Sequence, residues 1–283
     1  MGTLTFGLLT LGGGASTAYS SSDVREYGWK FIWPAVGLSI IWYMTVGLDS
    51  DQPIRYNVPR PKVPEDSEIL EKPTIKVSGS DAIQCYAPAT GQFLGLVKPS
   101  TPEDIDRAIE LAKKAQKKWA STSFRERRAV LRSLLRYVLD NQEEICRIAS
   151  LDSGKTMVDA QLGEILVTTE KLMWTLKHGE AALRPSRRPT NLLMAYKKNT
   201  VYYEPLGVVA ALVSWNYPFH NLIGPIISAL FTGNGIVVKV SEQVAWSSAY
   251  FASIARGALI AHGHSPALVR TFYTSTTLET NRD

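Results

Sequence analysis

Two short, almost uninterrupted apolar stretches, Gly207–Val213 (GVVAALV) and Gly235–Val240 (GIVVKV), stand one helix's length apart. A strand that alternates apolar and polar residues keeps one face in water. A strand apolar throughout needs cover on both faces, which a parallel sheet between helices supplies. Phe219–Phe231 between them reads as a helix with Gly233 just past its end, and Val244–Ala261 as a second helix stopped near Gly263. This strand–helix–strand–helix series predicts an α/β domain of the doubly wound kind with two legible parallel strands.

The chain upstream reads differently. Ala82–Tyr86 and Gln92–Val97 flank the turn Pro88-Ala89-Thr90-Gly91 and predict a hairpin. Thr101-Pro102-Glu103-Asp104 carries the marks of a helix start, and that helix runs to about Trp119. Ser123 with Glu126 three residues on is a capping box for the next helix, whose apolar face holds Leu131, Leu134, Leu135 and Val138. A short helix from Asn141 ends at Ser153-Gly154, and a longer one covers roughly Thr156–Lys177. Leu192–Tyr196 and Val201–Tyr203 predict a second hairpin around Lys198-Asn199.

Near the N-terminus, Phe31–Leu48 (FIWPAVGLSIIWYMTVGL) carries no charge. At helical rise it would extend roughly 27 Å, close to the hydrocarbon thickness of a bilayer. Trp29, Trp33, Trp42 and Tyr43 supply interfacial aromatics, and the expectation is a single-pass span over 29–48; the alternative is a buried core helix. A cleaved signal is disfavoured because residues 1–20 lack a basic stretch. Arg55, Arg60 and Lys62 after the run outnumber Arg25 and Lys30 before it, which predicts that the C-terminal part lies on the cytosolic side, and an endomembrane location is expected. Pro53, Pro59, Pro61 and Pro64 then block helix and sheet, so residues 49–79 read as a semi-extended linker.

A net charge of +5 over 283 residues is mild, and no nucleic-acid-binding pattern accompanies it, so no nucleic-acid partner is expected. Cys85 and Cys146 are too few for a disulfide scaffold and lack metal-ligand spacing; no metal site is expected. Both read as small buried hydrophobes. His178, His220, His262 and His264 have no ligand spacing either, and the basic stretch Arg184–Lys198 reads as a solvated hairpin.

The chemistry lies at the two apolar strands' carboxyl ends, where open α/β sheets bind ligands. Ser214-Trp215-Asn216-Tyr217-Pro218 leaves the first strand, and Lys239-Val240-Ser241-Glu242-Gln243 leaves the second. Asn216 offers a neutral amide donor able to stabilise an oxyanion. Lys239 and Glu242 offer a donor and an acceptor to a ribose diol, and the carboxylate would repel a 2′-phosphate, favouring NAD over NADP.

In these motifs the chain resembles the aldehyde dehydrogenase superfamily. The matching segments are EPLGVV (204–209), SWNYP (214–218) and GN-x-x-V-x-K-x-SEQ (233–243), with YAPATGQFLGLV (86–97), TPEDIDRAIELAKKAQKKWA (101–120) and LDSGKT (151–156) upstream. The resemblance implies an incomplete Rossmann-like cofactor domain and NAD(P)-dependent oxidation of an aldehyde to a carboxylic acid through a cysteine thiohemiacetal, in enzymes that are usually homo-oligomeric. It implies that Asn216 is the oxyanion donor, that Lys239 and Glu242 contact the adenosine ribose, and that Trp215 and Ser241 belong to the cofactor pocket. A span before such a domain is similar to a membrane-anchored fungal and plant branch.

The family's nucleophilic-cysteine and general-base glutamate segments have no match here, nor does its Gly-x-x-x-x-Gly turn. The expected organisation is a tail over 1–28, the span over 29–48, the linker over 49–79, the dehydrogenase-like region over 80–265 and a non-matching polar tail over 266–283. The resulting expectation is a truncated, inactive portion of a membrane-anchored aldehyde dehydrogenase. The alternative is a membrane-tethered, non-catalytic interaction protein keeping part of that fold. The span is tested by fusing residues 1–60 to a soluble reporter and extracting membranes with alkaline carbonate. The reporter is expected in the pellet, and its release into the supernatant would remove the span.

Overall fold

The computed structural model describes residues 52–64 and 68–274, with Pro34 alone ahead of them. The span expected at 29–48 otherwise lies outside the described residues. No helix among the described residues is long and apolar enough to cross a membrane.

The chain first forms a three-stranded antiparallel sheet of β1 (Lys76–Val77), β2 (Ser80–Tyr86) and β3 (Phe93–Val97), in that order. Three helices follow: α1 (Pro102–Ala120), α2 (Phe124–Asp140) and α3 (Gln142–Ser153). Met157–Ala160, a π-helical turn Gln161–Leu166 and Val167–Ala182 run on as α4. A small ribbon pairs β4 (Ser186–Arg188) with β5 (Asn199–Val201). The parallel sheet is β6 (Val208–Leu212), β7 (Gly235–Val240) and β8 (Val269–Tyr273), with α5 (Pro218–Phe231) and α6 (Ala245–Ala261) as the crossovers.

Local chemistry sets the helix ends. Thr101 and Asp104 exchange side-chain and backbone hydrogen bonds at the start of α1, and Ser123 and Glu126 do the same at the start of α2. Each capping box satisfies two donors that a helix leaves orphaned. Gly154 ends α3 at φ 76°, a backbone region open to glycine and strained for most other residues.

Three expectations need correction. The polar tail read over 266–283 opens with a strand: β8 pairs in parallel with β7, from Ile236↔Val269 to Val240↔Tyr273. Arg270 and Thr271 interrupt its apolar run, but an edge strand is held by backbone hydrogen bonds on one side and tolerates polar side chains. Arg256 donates to Val269 O at 2.9 Å and to Thr271 Oγ1 at 3.1 Å, tying β8 to α6. The second correction concerns β6, which is parallel but not covered on both faces. It lies at the other edge of the sheet, and Ala210 and Leu212 are exposed on one face, Leu212 by 82%. The third is the second hairpin. Leu192–Met194 is a 3₁₀ turn capped by Asn191 Oδ1, which accepts Met194 N–H at 2.9 Å, and β5 pairs with Ser186–Arg188 instead.

Residues 52–64 form no helix or strand, as their prolines dictate, yet the segment is docked. The Tyr56 ring stacks on Tyr137 of α2 at 4.8 Å, and its hydroxyl donates to Ile254 O of α6 at 3.0 Å. Ile54 N–H donates to Ser133 Oγ at 2.8 Å. Gly257 makes room for the ring, since a Cβ there would stand 2.7 Å from Tyr56.

Helix α5 is the centre of the core. Phe219, Leu222, Ile223, Ile226 and Ile227 are fully buried along the helix, and Leu230 and Phe231 are buried at its end. Its C-terminal carbonyls are satisfied from other helices. Arg127 donates to Phe231 O at 3.2 Å, Trp119 Nε1 to Leu230 O at 2.9 Å and Gln116 to Gly233 O at 3.0 Å. Arg127 also donates to Ala120 O at 2.9 Å and Thr122 Oγ1 at 3.1 Å, so a buried guanidinium is held by oxygen dipoles at a helix's negative end. Replacing Arg127 by Ala strands these acceptors. At about 1–3 kcal/mol per unsatisfied buried group, a loss of about 3 kcal/mol is expected in urea unfolding. An unchanged midpoint at unchanged slope would show that the cap does not hold α5.

Candidate functional site

Strands β6 and β7 run in register, with Leu212 opposite Lys239, and Val213 N–H donates to Lys239 O at 3.0 Å. The two loops read as chemical in the sequence therefore leave adjacent strands side by side. The loop after β6 turns directly into α5, with Pro218 at the first helical position.

Within that loop the Asn216 side chain is fixed by its oxygen. Ser214 Oγ donates to Asn216 Oδ1 at 2.7 Å, and Asn221 Nδ2, one turn into α5, donates to the same atom at 3.0 Å. Asn221 also donates to Ser214 Oγ at 3.0 Å, closing a three-residue ring. Two donors on one atom identify it as the carbonyl oxygen. Asn216 is exposed, and no hydrogen bond from its amide N–H groups is found among the described residues. Trp215, half exposed, lines a cleft of about 380 Å³ with Tyr86, Pro88 and Gln243.

After β7, Lys239 Nζ stands 3.6 Å from Glu242 Oε2, an ion pair with each side chain about a fifth exposed. Ser241 precedes the 3₁₀ turn Glu242–Val244 and does not cap it with its side chain. Donor and acceptor thus lie together at the carboxyl end of the central strand, as the spacing Lys239-x-x-Glu242 predicts.

Beneath the Asn216 loop lies a buried charged layer. Lys155 Nζ donates to Glu164 Oε1 at 2.7 Å and to the backbone oxygen of Asn216 at 2.6 Å, and it stands 4.0 Å from the centre of the Tyr217 ring. Glu164 Oε2 accepts His220 N–H at 2.8 Å. Burial pushes the Glu164 carboxyl up, while the bonds from Lys155 and the His220 backbone pull it down. Burial lowers the His220 imidazole, whose Nδ1 is 3.0 Å from Thr168 Oγ1. Sequence reasoning missed Ser214, Asn221, Lys155 and Glu164 as site residues. A signal for Glu164 existed: it shares the buried face of α4 with Ala160 and Thr168, where a lone carboxylate needs a partner.

Both cysteines are buried. Burial, with Asp152 nearby, pushes the Cys85 thiol up to about 12, and burial with Glu164 pushes Cys146 up to about 11. Neither is the thiolate a nucleophile needs.

Comparison with known proteins places this geometry. Residues 75–271 match the aldehyde dehydrogenase family. That match begins ahead of β2 and takes in most of β8. An aldehyde dehydrogenase-like protein of Saccharomyces cerevisiae is 49% identical over 231 residues, 79% of this chain and 36% of that protein. One of Schizosaccharomyces pombe is 56% identical over 191 residues, 68% of this chain and 37% of that protein. The chain thus spans little more than a third of the length of these relatives. A succinate-semialdehyde dehydrogenase from Burkholderia pseudomallei superposes with a TM-score of 0.62 at 29% identity, over 69% of this chain and 39% of that one. A Mycobacterium tuberculosis aldehyde dehydrogenase solved with NAD+ shares the fold with a TM-score of 0.61 at 23% identity, over 71% of this chain and 40% of that one.

The thiol chemistry is directly testable. A raised thiol pKa leaves less thiolate at any working pH, so labelling of the folded chain by a disulfide reagent at pH 8 is expected to lag far behind that of the denatured chain. Rapid labelling of either cysteine in the folded protein would contradict the burial described here.

Proposed function

The chain belongs to the aldehyde dehydrogenase family, and on that premise we propose that it carries the oxyanion donor and part of the dinucleotide cradle for NAD(P)-dependent oxidation of an aldehyde to a carboxylic acid. The observation that carries the reading is the placement of Asn216 and of the Lys239–Glu242 pair at the carboxyl ends of adjacent parallel strands.

The residues present fit such a cofactor. A vicinal diol offers both O–H donors and oxygen acceptors, and Lys239 with Glu242 presents the complementary pair. Trp215 and Ser241 stand on the same two loops as further cofactor contacts. A bound nicotinamide would supply the acceptor for the hydride that leaves the substrate carbon. Asn216 acts on the substrate oxygen. As negative charge develops there, its N–H groups donate to it, while Ser214 and Asn221 hold the other end of the amide. Such preorganised donors are worth about 3 kcal/mol of transition-state stabilisation each. The nucleophilic thiolate and the activated water of this chemistry would come from residues other than Cys85 and Cys146. The uncharged run over 31–48 supports a single-pass membrane tether over 29–48 for this activity, and homo-oligomerisation accords with the family.

The second reading is a membrane-tethered interaction protein without catalysis. What favours it is the burial of both thiols with raised pKa values.

Saturation-transfer NMR of the full chain with NAD and NADP separates the two. Charge-assisted contacts of about 1–3 kcal/mol each offset an association cost of at least about 4 kcal/mol, so affinity weaker than micromolar is expected, with NAD ahead of NADP. Replacing Glu242 by Gln removes the charge that repels a 2′-phosphate. At about 1 kcal/mol for a partly exposed pair of charges, the NAD-over-NADP preference should fall about fivefold. If neither nucleotide binds at millimolar concentration, the interaction reading stands instead.

A further inference from the structure

The geometry points to Lys155 and Glu164 as positioning residues that hold the Asn216 amide in its donating orientation, an inference resting on the oxyanion reading of Asn216. The two come from a loop and a helix. Lys155 follows Gly154 at the end of α3, and Glu164 lies in the π-helical turn of α4. Such turns carry one residue more than an α-turn and redirect the side chains they contain. Here the carboxylate is fully buried and the lysine side chain 8% exposed.

Each charged group has two tasks. Glu164 accepts from Lys155 through one oxygen and from His220 N–H through the other. His220 lies in the first turn of α5, a helix with no side-chain cap of its own. A carboxylate there satisfies an orphaned donor and faces the positive end of the helix dipole. Lys155 donates to Glu164 and to the backbone carbonyl of Asn216, and it lies over the ring of Tyr217. Asn216 is therefore clamped at its backbone oxygen by Lys155 and at its side-chain oxygen by Ser214 and Asn221. Gly163 completes the seat: a Cβ there would come within 2.0 Å of Tyr217 Cε1, so the ring packs against α4 only because residue 163 has no side chain.

Stability alone does not account for such a pair. Removing two charges from water costs about as much as their attraction returns, and apolar replacements of similar volume are often neutral. An apolar pair would fill the space but would have nothing to offer the Asn216 carbonyl. This separates positioning from packing in one experiment.

The full chain in detergent, labelled with 15N-asparagine, is compared as wild type, Lys155→Arg and the double variant Lys155→Met, Glu164→Leu. The double variant is expected to fold with a lowered melting temperature, because His220 N–H loses its acceptor. Meanwhile the Asn216 side-chain order parameter should fall from the rigid range, about 0.8, to below about 0.6. Lys155→Arg keeps a donor and should recover most of the order. A folded double variant with a rigid Asn216 amide would overturn the inference. If the double variant does not fold, Glu164→Gln decides: it keeps the shape and the acceptor for His220 but removes the charge that holds Lys155. Loss of Asn216 order there supports the inference, and full retention overturns it. The oxyanion reading is tested separately by titrating acetate against wild type. Shifts of the Asn216 amide support it and their absence opposes it, whichever way the variants behave.

Discussion

The fold turns on one helix that cannot finish itself. α5 is apolar nearly all round and sits in the core, and several of its orphaned backbone groups are satisfied by side chains of other helices. Its sequence offers no side-chain cap at the N-terminus. The missing partners come from other helices: Glu164 at the start, and Gln116, Trp119 and Arg127 at the end. Burial of α5 and docking of α1, α2 and α4 against it are thus one event, because a buried peptide group without a partner costs about as much as a hydrogen bond contributes.

The site inherits its order from that helix. The loop bearing Asn216 is short and runs straight into α5, so whatever fixes the first turn of α5 also fixes the loop. Asn221 in that turn reaches back to Asn216 and Ser214, while Lys155, paired with Glu164, reaches up to the loop's backbone. The neighbouring strand, held in register by the ladder from Val208↔Gly235 to Leu212↔Lys239, places Lys239 and Glu242 beside that loop. A donor for an oxyanion and a donor–acceptor pair for a diol lie together because the sheet is parallel and the crossover between its strands is this helix.

The proline-rich segment ahead of the domain shows how little irregular backbone says about looseness. Its prolines exclude helix and strand, but they leave Tyr56 free to fill a slot between α2 and α6, where Tyr137, Ile254 and Gly257 receive it. Fixed φ angles lower the entropy lost when such a strap docks. Two hydrogen bonds, one stacked ring, the ion pairs of Arg55 and Arg60 with Asp140 and Glu144, and Val58 against the core hold it in place.

Much of the fold was legible from sequence because it is set by neighbours along the chain. The capping boxes at Thr101 and Ser123, the glycine stop at Gly154 and the apolar periodicity of the helices act within a few residues. The loop residues Trp215, Asn216, Lys239, Ser241 and Glu242 were readable for a related reason: their place at strand ends follows from the strand–helix alternation. What depends on distant partners was not readable. β8 looks polar in sequence because its stability comes from the ladder with β7. The open face of β6 looks covered because an apolar run does not say whether a second layer lies against it. The false hairpin at Leu192 rested on β-propensity, which a single Asn191 cap overrides. Lys155 and Glu164 lie nine residues apart and join a loop some fifty residues further on. The sequence determined which residues form each element. Only the tertiary structure decided which charges are buried together, because the energy of a buried charge depends on what stands within a few ångströms of it and not on its neighbours in the chain.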